Sequence, residues 1–95
     1  GWEETRRIIL EHHEFWNGSG YPYGLKGEQI SKAGRILSVA EFYDSITSER
    51  PYRGKLVPEE AVQLVHNSMD TLFDREVCLA LLEEVKSAPA VSLHR

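Results

Sequence analysis

An all-α fold is predicted by three observations. Apolar residues recur at spacings of three and four along most of the chain. Proline, glycine and capping residues stand at the ends of those stretches. Val, Ile and Thr nowhere gather into the alternating runs that make strands. The 95 residues suffice for one domain with a small core.

The first helix is expected over about Glu3 to Glu14, ending near the adjacent His12 and His13. Residues 15 to 32 then hold Gly18, Gly20, Pro22, Gly24 and Gly27, breakers that rule out a regular element. The aromatics Phe15, Trp16, Tyr21 and Tyr23 predict that this loop is packed and ordered. Ser31 is the expected N-cap of a second helix, Gly34 to about Glu49, which Pro51 ends. Its apolar positions are Ile36, Leu37, Val39, Ala40, Tyr43 and Ile46. Arg35, Ser38, Glu41, Asp44 and Ser45 share a polar face. Pro58 suits the first position of a third helix, with Glu59 and Glu60 at its positive end. A fourth opens near Asp74 and continues through Val85. Residues 86–95 are expected to be a tail.

Composition narrows the function. Hydrophobic residues make up 41% and charged residues 27%, ordinary for a globular chain. A net charge of -4 argues against a general nucleic-acid binder, though not against a local basic pocket. No apolar run approaches the ~20 residues of a membrane helix, so no membrane segment is expected. Cys78 is the single cysteine and excludes an internal disulfide. Its apolar run VCLALL predicts a buried thiol. Nothing points to an oxidising compartment, and a cytoplasmic location is expected.

Three stretches carry candidate chemistry. In EHHE, Glu11 to Glu14, adjacent histidines on a helix would point about 100° apart. Such a pair suits two neighbouring ions better than one; two surface histidines at a helix end is the plainer alternative. The loop Asn17–Gly27 lets backbone approach a ligand, and Tyr21 beside Pro22 offers a rigid stacking platform. A packed structural loop has the same composition. In AEFYDSITSERPYR, Glu41 and Asp44 share a helix face as candidate metal ligands or a solvated acidic surface. Arg50 and Arg53 can grip phosphate bidentately, or simply face solvent.

Taken in order, HHEFWNGSGYPYGLKGEQI, GRILSVAEFYDSITS, ERPYR and LFDREVCLALL resemble the HD-GYP family over about residues 8 to 85. The resemblance is to the C-terminal, GYP-bearing portion, so residues 1–95 are expected to form a single partial domain. It implies an all-helical HD domain that binds divalent iron or manganese and hydrolyses cyclic di-GMP. By that resemblance His12 and His13 occupy metal-ligand positions, and Glu41 stands at a late aspartate ligand, with Asp44 the second acid. Gly20, Tyr21 and Pro22 are the GYP, implied in ligand contact and in docking to GGDEF cyclase domains. Arg50 and Arg53 fall at basic positions that contact the nucleotide.

The departures bear on activity. The chain contains no His-Asp dipeptide, and its other histidines, His66 and His94, fall outside the pattern. Asn17 stands for the usual Asp, Glu41 for Asp, Ser31 for Pro and Ser45 for Ala. The early HD ligands are therefore expected N-terminal to these residues, with negligible turnover by the 95 residues alone. The resemblance leaves two readings: part of a phosphodiesterase, or a non-catalytic module that binds cyclic di-GMP or a cyclase partner. Apolar faces at 8–14 and 36–46 predict self-association.

Overall fold

The computed structural model describes residues 1–48 and 58–87. Among them four helices are formed: α1 (Trp2–Glu11), α2 (Lys32–Thr47), α3 (Pro58–Asn67) and α4 (Arg75–Ser87). The all-α class is as expected. The expected roles of Glu49, Arg50, Pro51 and Arg53 lie outside the described residues, as does most of the expected tail. α4 itself continues to Ser87.

α2 is the organising element, packed against α1, α3 and α4. Its start is set chemically. The Ser31 hydroxyl accepts the Gly34 amide at 3.1 Å, which satisfies one of the donors that every helix N-terminus leaves free. One face of α2 supplies Val39, Tyr43 and Ile46 to the core. α3 contributes Ala61 and Val65, and α4 contributes Val77 and Cys78. Met69 and Phe73, from the turn between α3 and α4, close the cluster. That turn needs a left-handed residue, which is Asp70 at φ 66°. A short polar side chain tolerates this conformation best after glycine, and Arg75 holds its carboxylate.

Cys78 is fully buried, as its apolar run predicts. Burial first, and then the charges of Asp74 and Asp70, push its thiol up to about 11. The thiolate that would react is thereby suppressed.

The polar face of α2 is divided: Glu41 is exposed, whereas Arg35 and Ser38 turn inward. Ser38 is buried. Arg35 reaches back to α4 and donates to Asp74 Oδ2 at 2.6 Å. Its Nε also donates to the Ile30 carbonyl at 3.1 Å, and its guanidinium lies 5.7 Å from the Trp16 ring centroid. One side chain thus ties the long loop, α2 and α4 together. Asp74 in turn accepts the Glu76 amide at 2.9 Å, capping the start of α4.

Candidate functional site

The site is built where α1 ends. α1 stops at Glu11, earlier than the expected Glu14, and His12 is its C-cap with φ -74° and ψ -9°. The cause is local. Glu11 and Glu14 turn their carboxylates inward, onto the loop that follows. Glu11 accepts the Ser31 amide at 2.6 Å and Arg7 Nε at 2.9 Å. Glu14 accepts the Tyr23 and Leu25 amides at 2.7 and 2.8 Å. Continuing the helix would carry Glu14 away from those donors.

This changes the geometry expected of the histidine pair. Off the helix, the two rings are not splayed by 100°. Their centroids lie 3.9 Å apart with planes inclined at 39°. His13 then stacks on Tyr21, with centroids 4.9 Å apart and an interplanar angle of 14°. The GYP tyrosine and the histidine pair therefore form one continuous aromatic surface.

His12 is oriented at both nitrogens. Its Nδ1 lies 2.6 Å from the Ile9 carbonyl oxygen, which can only accept, so Nδ1 carries a proton. Its Nε2 lies 3.1 Å from Glu41 Oε1. In the neutral ring, Nε2 is then a lone pair facing a carboxylate. The two groups are close enough to share a hydrogen bond or to meet on one cation. Metal–ligand distances of about 2.0–2.2 Å place neighbouring donors on one ion roughly 3 Å apart. The His12–Glu41 separation matches that span. The Nδ1–carbonyl bond is also the usual outer support of a metal-bound imidazole.

The fit is partial. Among the described residues, no three His, Cys, Asp or Glu side chains converge closely enough to hold an ion. His12 and Glu41 supply two donors, and neither ring nitrogen of the adjacent His13 has a hydrogen-bond partner among the described residues. Asp44 lies one turn along α2 from Glu41 and accepts the Ser48 hydroxyl at 3.4 Å. Asn17, in place of an acid, turns inward on its own loop, accepting the Ser19 amide at 3.0 Å and its hydroxyl at 2.6 Å.

Gly20 is held by packing. A Cβ there would lie 2.4 Å from the His13 carbonyl oxygen and 2.5 Å from the Phe15 nitrogen. The close approach allows the Tyr21 amide to donate to that carbonyl at 3.2 Å. The peptide before Pro22 is cis.

Glu11 links the site to pH. Burial raises its pKa, but the Ser31 amide, the Arg7 guanidinium and the Ser31 side chain together outweigh burial and leave it below the ordinary 4.5. The depressed carboxyl favours folding above its ordinary value. That contribution is lost as pH falls through the lower, folded value. Glu11→Gln is expected to reduce the stability difference between pH 7 and pH 3 in urea denaturation. An unchanged difference would show that the carboxylate is not coupled to folding.

Sequence reasoning missed Arg35 and Asp74 as a pair, and the clamping roles of Glu11 and Glu14. The high acid content of EHHE was the available signal for the latter.

The arrangement belongs to a known class of helical domain. The model of the family described as "HD domain" matches residues 2–77, and the chain belongs to that family. It is 42% identical over 76 residues to a cyclic di-GMP phosphodiesterase of Thermotoga maritima, which covers 80% of this chain and 21% of that protein. It is 38% identical over 80 residues to a probable cyclic di-GMP phosphodiesterase of Vibrio cholerae, covering 84% of this chain and 18% of that protein. A 3'3'-cGAMP-specific phosphodiesterase of the same organism is 35% identical over 83 residues, covering 87% of this chain and 18% of that protein. The chain spans about one fifth of the length of these curated relatives.

Proposed function

We propose that this chain is the GYP-bearing C-terminal portion of an HD-GYP cyclic di-GMP phosphodiesterase. The observation that carries the reading is the junction of His12 Nε2, 3.1 Å from Glu41 Oε1, with the His13–Tyr21 stack. It puts candidate metal donors directly beside a candidate base platform. The names of the relatives support a cyclic dinucleotide as the substrate class.

In this reading His12, His13 and Glu41 contribute to the binding of divalent iron or manganese, and ligands upstream of residue 1 complete the centre. The ion supplies Lewis acidity toward a phosphodiester. This chain's own residues orient the nucleotide. Tyr21, beside Pro22, stacks on a guanine, Arg50 and Arg53 grip phosphate, and Asp44 holds a polar edge of the ligand. Gly20 lets the loop backbone seat against His13. The exposed GYP loop is also the surface for a GGDEF cyclase domain. Tyr21 is 60% exposed, as such contacts require. Ile9 and Ile36, about half exposed at 52% and 50%, support self-association. No helix among the described residues is long and apolar enough to cross a membrane. A cytoplasmic site of action agrees with a cytosolic nucleotide substrate.

Calorimetry with cyclic di-GMP tests recognition without requiring turnover. Tyr21→Ala and Arg50→Ala are each expected to weaken binding about tenfold, as loss of one stacked base or one bidentate contact does. Absence of binding by the unaltered chain, with and without manganese, would contradict the reading. Binding without hydrolysis once the upstream segment is supplied would favour the non-catalytic module instead.

A further inference from the structure

Glu14 is 2% exposed, the most buried acid among the described residues. Buried carboxylates are costly unless their oxygens are satisfied. Here both are satisfied by one loop: Oε2 accepts the Tyr23 amide and Oε1 the Leu25 amide, at 2.7 and 2.8 Å. The residue before it completes the pattern, since the His13 carbonyl accepts the Tyr21 amide at 3.2 Å. Three alternate amides, at 21, 23 and 25, are thus tied to two consecutive residues. Tyr21 itself is largely exposed, so burial does not hold its ring. Its ring lies against that of His13, and the backbone on either side is anchored through the Tyr21 and Tyr23 amides.

We infer that Glu14 is the positioning residue that holds Tyr21 over His13, setting the nucleotide platform against the candidate metal ligands. The inference rests on the proposed role of Tyr21 in binding. Its chemistry asks for a carboxylate of this length. Bonds from amides to a charged acceptor are roughly twice as strong as neutral ones. Glutamine keeps the shape but turns an NH2 toward one of the two amides, where donor faces donor. Aspartate carries the same pair of oxygens on an arm one methylene shorter, which draws them back from both amides.

The test compares the unaltered chain with Glu14→Gln by NMR and by titration with cyclic di-GMP. In the unaltered chain, Tyr21 and His13 ring protons should show mutual Overhauser contacts, and the Tyr23 and Leu25 amides should exchange slowly. In Glu14→Gln, helical circular dichroism should persist while the ring contacts disappear. Affinity should then fall about tenfold, the effect of losing one stacked base. A folded Glu14→Gln that keeps the ring contacts would overturn the inference. So would Tyr23 and Leu25 amides that exchange at unprotected loop rates in the unaltered chain, a measurement that needs no variant to fold. Loss of the ring contacts with undiminished affinity would leave Glu14 as the clamp and count against Tyr21 as the nucleotide platform.

Discussion

Arg35→Ala is expected to lower the free energy of unfolding by about 3–5 kcal/mol, the cost of leaving one partner of a buried ion pair alone. The side chains of Arg35 and Asp74 are 13% and 8% exposed, and their contact at 2.6 Å joins α2 to α4. The substitution also frees the Ile30 carbonyl and removes the cation from the Trp16 face. Domains of this kind have roughly 5–15 kcal/mol in total, so the loss is a large share. Asp74→Ala should cost a similar amount and additionally uncap α4 at Glu76. Replacing both partners with apolar residues should restore much of the loss, because a buried pair stabilises little beyond a well-packed apolar substitute. Urea denaturation of the single and double variants measures all three. A loss below about 1 kcal/mol for Arg35→Ala, the range of an exposed pair, would show that the network is not buried in solution.

Gly20→Ala is expected to displace the loop and cost about 1–3 kcal/mol or more, the range for overpacking a filled site. The new methyl would sit 2.4 Å from the His13 oxygen, 2.5 Å from the Phe15 nitrogen and 2.7 Å from the Glu14 Cα. All three are backbone atoms, so no side chain can rotate away to make room. Relief requires the loop to lift from the 13–15 segment, which breaks the Tyr21–His13 backbone bond and separates the stacked rings. The variant should therefore lose the Tyr21–His13 ring contact and bind cyclic di-GMP more weakly, with the four helices retained. A folded variant that keeps both stability and ring contact would show that the loop has slack here. The GYP resemblance pointed to Gly20 for ligand contact; the packing requires glycine there whether or not a ligand is bound.

The helices were legible because their determinants are local. Ser31 caps α2 through a bond three residues away, and Glu59 and Glu60 open α3 as the helix dipole favours. Cys78 declared its burial through its apolar neighbours. Pairings across long sequence separations were not legible. Nothing local to Arg35 says that its partner stands 39 residues away at Asp74. The end of α1 was misplaced for a related reason. Helical spacing favours continuation to Glu14, but the donors that claim Glu14 belong to Tyr23 and Leu25, and they decide where the helix stops. That one local event also corrected the histidine geometry. The family pattern offered His12, His13 and Glu41 as candidate ligands, whereas their arrangement depends on a loop whose path only the fold reveals. For the same reason the shared spacing of Arg35, Ser38, Glu41 and Asp44 did not show that the first two turn to the interior while Glu41 stays exposed.

The most direct test is manganese- or iron-dependent hydrolysis of cyclic di-GMP by the natural full-length protein, with His12→Ala and Glu41→Ala compared at equal folded concentration. Loss of an outer support to a metal ligand typically costs 10–100-fold, so loss of a ligand itself should cost at least about a hundredfold. The account predicts metal-dependent turnover that both substitutions reduce by that factor. Undiminished metal-dependent turnover in His12→Ala, whose Nε2 stands 3.1 Å from Glu41, would contradict it.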